Sequence, residues 1–476
     1  MKRQAEGFHM VQIADTTTPV VVIQFARALA HGGLGVMRSL GRLGIPVYAV
    51  NNDEKAPAFA SRYCQGRFLG DLNFECPEKS AKYLLEVGRK IGRRCILIPS
   101  TDDAAVFAAE HAQLLRERFI FPEQSPVLVR SLTSKKEMFY LAKRLGIPTA
   151  ETSFPQSRED VLRFAAQTAF PIMLKGIDGV LLQNRGRKKM VIVRTQQELI
   201  ENYDAMEDPG NPNLMLQEYI PGGDDTIWMF NGYFDKHSDC LLGFTGRKLR
   251  QFPVYTGATS LGICLENEAV AKTTIDFMKT VGYRGMLDIG YRYDARDGRY
   301  KVLDVNPRMG GTFRLFVAQN GMDVVRAMYL DMTGQPVPAA RMVQGRKWIV
   351  EDSDFVSCLR YRKDGKLTLK TWIKSLRGVQ EGAFFARDDL RPFLVLCAKN
   401  IRTIVHRGVQ KARGLRRPAQ SLQERSGIAR ISPVKTCIDQ SKPTQSREVF
   451  QNERHPGRAD TNLHAQTVQP ADSPRP

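Results

Sequence analysis

Tyr300-Lys301-Val302-Leu303-Asp304-Val305-Asn306-Pro307-Arg308-Met309-Gly310-Gly311 reads as a strand that ends in a polar cluster and breaks at Pro307 and the glycine pair. Val302, Leu303 and Val305 supply its buried side, so Asp304 and Asn306, two apart, point together to the other face. Two oxygen side chains side by side at a strand end suit a hard cation, since Mg2+ is usually held by one or two carboxylates together with phosphate oxygens. Arg308, just beyond, can balance the charge of a phosphate or carboxylate.

The preceding stretch, Gly285-Met286-Leu287-Asp288-Ile289-Gly290-Tyr291-Arg292-Tyr293, alternates and runs through Asp294-Ala295-Arg296-Asp297-Gly298 into the first. Strand, Asp-Gly turn and strand predict a hairpin. A register that pairs the two strands brings Asp288 beside Asp304 and Asn306, and three oxygen donors then face one point. A polar hairpin end capped by Asn-Pro is the plainer alternative; metal binding is preferred to it.

A hairpin with an acid on its first strand and acid-x-Asn-Pro-Arg on its second resembles the metal site of the ATP-grasp superfamily, and the chain resembles the carboxylate-amine ligase branch. That resemblance implies ATP and Mg2+, or Mn2+ in its place, with Asp288, Asp304 and Asn306 as metal ligands and Arg308 as a catalytic residue. The family usually has glutamate where this chain has Asp304, one methylene shorter. Leu214-Met215-Leu216-Gln217-Glu218-Tyr219-Ile220 is a strand that turns at Pro221-Gly222-Gly223 and leaves two acids after the bend. By resemblance, Gln217, Glu218, Tyr219 and Ile220 form the hinge whose backbone reads adenine, and Asp225, or Asp224, holds the ribose hydroxyls. Two turn-forming acids are the alternative. Agreement in order between independent motifs favours the family.

Phe170 to Gly176 is a short apolar strand that holds Lys175, and a lysine in such a run is costly without an anionic partner. The resemblance makes that partner the ATP phosphates. Asp178-Gly179-Val180 and Asn184 to Lys189 look like the flexible loop that closes over phosphates, although a surface hairpin would read alike. Ser134 or Thr133 caps a helix running to Leu145-Gly146-Ile147-Pro148, and Lys135 or Lys136 near its start is expected at the nucleotide, with a solvated lysine pair as the equal alternative. In Gly246-Arg247-Lys248-Leu249-Arg250-Gln251, Arg247 and Arg250 are candidates to grip a substrate carboxylate, since guanidinium forks match it. A solvated basic strand is the alternative for each. Arg314 is a further candidate.

At the front of the chain, Pro19 to Ile23, a turn at His31-Gly32-Gly33-Leu34-Gly35, a helix through Leu43 and a strand from Ile45 to Val50 make a βαβ unit. The turn lacks full GxGxxG spacing, so dinucleotide binding is the weaker reading. In the family such a preliminary α/β domain serves the substrate side, which implies Gly32 to Gly35, and Arg38, near the acceptor. Cys95 to Asp103 is a strand entering a helix capped by Thr101 or Asp102.

The fold class expected is α/β: a loose lead over 1–18, a preliminary α/β domain over 19–125, a two-lobed ATP-grasp domain over 126–335, a C-terminal extension over 336–405 and a disordered basic tail over 406–476. The chain of 476 residues is 42% hydrophobic and carries a formal net charge of +20, of which about +8 lies after Asn400. Such charge raises nucleic acid as a partner, but aromatic residues are not interleaved with the basic ones as base stacking requires. The eight cysteines are scattered without a CxxC pair, as in a reducing cytoplasm. No apolar run approaches a membrane span, so a cytoplasmic protein is expected. Pro392 to Ala398 with Ile401, Ile404 and Val405 has helical spacing and a basic flank. Peripheral contact with an anionic membrane is one reading and an ordinary closing helix the preferred one. A homodimer is a further expectation.

The resemblance implies ligation: a substrate carboxylate takes the γ-phosphoryl group of ATP, and an amine displaces phosphate from the acylphosphate to give an amide. Lys175 neutralises charge and Lys135 binds nucleotide. Amine carboxylation, plain phosphoryl transfer, or noncatalytic nucleotide binding with a nucleic-acid-binding tail stay open as alternatives.

Overall fold

The computed structural model describes residues 10–25, 31–70, 72 and 76–412, the side chains of Val180, Gln183, Asn184 and residues 407–412 excepted. The first nine residues of the expected N-terminal lead and the basic sequence beyond Ala412 lie outside them.

The first layer is built from β1 (Val20–Ile23), α1 (His31–Gly41), β2 (Val47–Asn51), β3 (Cys64–Leu69), α2 (Pro77–Ile91), β4 (Cys95–Pro99), α3 (Asp102–Glu110), α4 (Ala112–Leu115) and β5 (Phe119–Ile120). The five strands form a parallel sheet in the order β3-β2-β1-β4-β5. Val20 to Ile23 are fully buried, as a central strand covered on both faces requires. Val21 and Ile23 pack with Leu84 and Phe107, whereas Val20 and Val22 share a cluster with Leu34, Leu40 and residues of the large sheet described below.

Two helices follow, α5 (Pro126–Thr133) and α6 (Lys135–Arg144). The Ser134 hydroxyl accepts from the Glu137 amide and caps α6, as read from the sequence. Next comes a small lobe: β6 (Thr152–Ser153), α7 (Arg158–Gln167), β7 (Ile172–Gly176), α8 (Gly179–Asn184), β8 (Met190–Val193), α9 (Gln196–Met206) and β9 (Leu214–Glu218). Its sheet runs β6-β9-β7-β8 and is antiparallel. The stretch expected as an open phosphate loop begins as a helix, because Asp178 accepts from the Leu181 amide and its backbone is tied both ways to the Asn213 side chain.

The remaining strands are β10 (Ile227–Phe234), β11 (Cys240–Phe252) and β12 (Ala258–Cys264), then, after α10 (Glu268–Thr280), β13 (Gly285–Asp294) and β14 (Arg299–Asn306). After α11 (Val324–Met332) come β15 (Lys347–Ile349), α12 (Glu351–Lys363), α13 (Leu369–Ser375), β16 (Val379–Gly382) and α14 (Arg391–Ala412). They make a seven-stranded sheet, β14-β13-β10-β11-β12-β15-β16. The extension expected after residue 335 thus supplies the last two strands of the large sheet. One face of that sheet packs on α10 through Phe230, Phe234, Phe277, Leu287 and Val305. The other carries Met229, Tyr233, Phe244 and Met286 toward α1 and α11.

Candidate functional site

The β13–β14 hairpin forms in the expected register, with Asp288 opposite Asn306 and Gly290 opposite Asp304. The pairing slips between Gly290 and Tyr291, which leaves Leu303 as a bulge. Val302 and Val305, three apart, can therefore both enter the buried core, and Leu303, expected to be buried with them, is half-buried. Asp304 and Asn306 point to the opposite face, as the alternation predicts. A side chain at position 290 would meet Asp304 Oδ1 at 2.5 Å, so glycine there is what lets the carboxylate lie across β13.

The three candidate ligands converge. Asn306 Nδ2 donates to the Asp288 carbonyl at 3.1 Å, to Asp288 Oδ2 at 3.4 Å and to Asp304 Oδ2 at 3.3 Å. An amide NH2 thus sits between two carboxylates, where a cation would sit. Burial, with Asp304 beside it, pushes the Asp288 carboxyl up to about 6 even though Arg308 and Lys248 pull the other way. Among the described residues no group of three or more His, Cys, Asp or Glu could hold a metal; the three side chains offer two carboxylates and one amide. That set fits Mg2+, which takes few protein oxygens and completes its shell with phosphate and water.

Cations surround the pair. Arg308 donates to Asn306 Oδ1 at 3.1 Å and pairs with Asp102 at 2.8 Å, so the start of α3 reaches the site. Thr101 is the cap of α3, which leaves Asp102 for this role. Lys135 donates to the Ile177 carbonyl at 2.6 Å, and its ammonium group lies within the influence of Asp178, Asp304 and Asp102. Lys175 donates to Gln217 Oε1 at 2.8 Å, and Gln217 in turn donates to Thr152. Burial, reinforced by Lys135, holds Lys175 down to about 8. Lys175, Lys135 and Asp304 therefore act on one another across the gap between the small and large sheets.

Arg247 does not join them. It stands opposite Trp228, with its guanidinium 6.0 Å from that ring, on the face away from Asp288. The physical reason is the strand's period of two: Lys248, the next residue, points to the acids. Lys248 Nζ donates to the Gly257 carbonyl at 3.0 Å, and burial lowers its proton affinity against the pull of Asp304, Asp288 and Asp224. Sequence reasoning missed Lys248, although Leu242, Phe244 and Lys248 share one face and the lysine interrupts an apolar row. Asn231, between Met229 and Tyr233, carries the same signal: it is fully buried opposite Asp288, with its side-chain amide against that carboxylate. Arg250 is occupied by a buried pair with Asp354 at 2.8 Å, Arg314 by Asp323 and Glu381, and Arg38 by Asp389. None of these three is available to a substrate.

The hinge residues lie further along the same face. Asp288, Gly290 and Arg292 follow one another at period two on β13, and Arg292 donates to the Gly222 carbonyl at 2.6 Å with its guanidinium 5.6 Å from the Tyr219 ring. The Glu218 side chain is a strut, paired with Arg296 at 2.7 Å and Lys301 at 3.0 Å, and its amide donates to the Glu151 carbonyl at 2.9 Å. Ile220 is buried. Asp224 is taken by Gln251 and Tyr361, whereas Asp225 is exposed. On the other side, Gly32 lies so close to the turn after β14 that a side chain there would sit 3.2 Å from Met309 Cε and 3.3 Å from Gly311 Cα. The start of α1 thus borders the turn after the β13–β14 hairpin.

No family model matches the chain. It is 26% identical over 243 residues to a D-aspartate ligase of Enterococcus faecium, a stretch covering 49% of this chain and 58% of that enzyme. The fold matches an N5-carboxyaminoimidazole synthetase from Staphylococcus aureus complexed with ADP, at a TM-score of 0.52 and 13% identity over 70% of this chain and 81% of the other. It also matches the biotin carboxylase domain of a Hydrogenobacter thermophilus 2-oxoglutarate carboxylase, solved with MgADP and bicarbonate, at 0.51 and 18% over 70% and 73%. The chain has the fold of the ATP-grasp superfamily. Lys135, Lys175, Asp288, Asp304, Asn306 and Arg308 converge on the gap between the small and large sheets. The chain spans little more than half the length of the D-aspartate ligase it matches.

Proposed function

We propose that this chain is an ATP- and Mg2+-dependent carboxylate-amine ligase that forms an amide through an acylphosphate and releases ADP and phosphate. The observation that carries the reading is the convergence of Asp288, Asp304 and Asn306, with an amide nitrogen between the carboxylates, beneath Lys175, Lys135, Lys248 and Arg308. Mg2+ held by the two carboxylates, and by the Asn306 oxygen once that amide turns toward them, would screen the phosphate charge and orient the group in transfer.

The protein's own part is positioning and charge neutralisation. Tyr219 and Ile220 border the base, and Asp225, the acid left free at the bend, reaches toward the ribose. From Arg292 beside that hinge to Asp288, four residues of β13 span about 13 Å, the order of an extended nucleotide. Lys175 and Lys135 take the phosphates. Lys248 and Arg308, which flank the acids, hold the acceptor carboxylate so that its oxygen faces the γ-phosphorus; the P–O bond to ADP breaks as the new one forms. An amine then attacks the acyl carbon and phosphate leaves with the bonding pair. Similarity to a D-aspartate ligase supports an acid and an amine as the substrates.

Amine carboxylation is the second reading, favoured by the carboxylase folds among the matches. Release of ADP and phosphate from Mg·ATP, measured across amino acids and small carboxylates with and without amines, separates the two. Release that needs a particular acid and amine is expected; release that needs bicarbonate and an amine would replace ligation by carboxylation. Asp304→Ala and Lys175→Ala are each expected to abolish turnover with an unchanged circular-dichroism spectrum, and undiminished turnover would remove that residue from the mechanism.

A further inference from the structure

The last helix, α14, docks by only one side. Leu396 is buried and Phe393 half-buried against the body, while Leu394, Ile401, Ile404 and Val405 are 58–65% exposed. At 100° per residue these four fall within one third of the helix circumference, away from Leu396. An ordinary closing helix would bury this stripe. The helix is 22 residues long, and it is not apolar enough to cross a membrane.

Charge identifies what covers the stripe. From Arg391 to Arg417 the sequence holds eight Lys or Arg and no Asp or Glu. Along the cationic edge of the helix, Lys399 and Arg402 line a cavity of about 590 Å3 with Lys55 and Arg67, against the acids Asp53 and Glu54. Lys399 contacts Asp53 at 3.4 Å; neither Arg67 nor Arg402 has a carboxylate partner among the described residues. A second copy of this helix would bring like charges together with no acid to compensate them. Nucleic acid would find aliphatic side chains where it needs stacking surfaces. An anionic bilayer answers both features: acyl chains take the stripe, and phosphate headgroups take the arginines and lysines beside it.

We infer that α14 is a peripheral membrane anchor that lies in the interface of anionic phospholipids, with the Lys55, Arg67, Lys399 and Arg402 cavity facing their headgroup phosphates. The body of the enzyme is thereby held at a membrane surface without a span. Cosedimentation of the full-length chain with vesicles of phosphatidylcholine, alone or with about 30% phosphatidylglycerol, tests this. Binding to the anionic vesicles only is expected, weakened in about 1 M salt. Combined Leu394→Ser, Ile401→Ser and Ile404→Ser changes should reduce it at least about tenfold with thermal unfolding unchanged, because these side chains are exposed. Arg391→Glu with Arg402→Glu should also weaken it. Absent binding, equal binding to neutral vesicles, or full binding by the triple variant would overturn the inference. So would lipid-free dimerisation abolished by the same three changes, which would make the stripe a contact between copies.

Discussion

Arg247 and Lys248 are neighbours in sequence and lie on opposite faces of β11, one over Trp228 and the other toward Asp288 and Asp304. If the acids form the reaction centre, Lys248→Ala should lower turnover at least about a hundredfold, the usual scale for removing a group that meets transition-state charge. Arg247→Ala should stay within about threefold, since it removes a half-buried contact with the Trp228 ring on the face away from the acids. Steady-state kinetics of the two variants, read side by side, would exchange these roles if the order were reversed. A second residue-scale expectation concerns Lys175, which burial and Lys135 hold down to about 8. Its pKa is depressed, so the ammonium form is lost as pH rises past about 8, and with it a charge-assisted contact worth about tenfold or more in affinity. ADP binding followed by calorimetry should weaken steadily above that pH, and Lys175→Met should bind weakly at every pH without that inflection.

At the scale of the element, the β13–β14 hairpin shows what sequence can and cannot carry. Alternation, the Asp-Gly turn and the Asn-Pro stop were enough to place Asp288, Asp304 and Asn306 on one face, because each is a local constraint of strand geometry. The Leu303 bulge was not legible, since a slip of register leaves the order of polar and apolar residues unchanged until the partner strand is known. The same limit hid Lys248, and it made Arg38, Arg250 and Arg314 look available, as their partners Asp389, Asp354 and Asp323 lie in other elements. Gly290 gives this element its test. Gly→Ala inside a strand is ordinarily neutral or mildly stabilising, but here the added carbon would fall 2.5 Å from Asp304 Oδ1. Gly290→Ala is therefore expected to weaken Mn2+ binding, followed by paramagnetic resonance, at least about tenfold while urea unfolding shifts by less than about 1 kcal/mol. Unchanged metal affinity would show that Asp304 need not lie across β13.

At the scale of the whole molecule, a buried ion pair joins α1 to the segment that leads into α14. Arg38 on α1 is 1% exposed and donates to Asp389 Oδ2 at 3.0 Å and to the carbonyls of Ala383, Phe384 and Asp389 just before α14. Asp389 also accepts from the Ser61 hydroxyl at 2.7 Å and the Arg62 amide at 3.0 Å. The two partners are therefore not equivalent. Arg38→Met strips one carboxylate of its counter-ion and three carbonyls of their donor, a loss of about 3–5 kcal/mol for a broken buried pair. Asp389→Asn keeps the shape: its one oxygen still accepts from the Arg62 amide, its NH2 can donate to the Ser61 hydroxyl, and the guanidinium keeps its three carbonyls, so about 1–3 kcal/mol is expected. Urea unfolding of the two variants measures the difference. Equal losses would mean that the carbonyls contribute little and that the ion pair alone joins α1 to the segment leading into α14. The larger loss for Arg38 would mean that the start of α1, which borders Met309 and Gly311, is held in place by residues some 350 positions away.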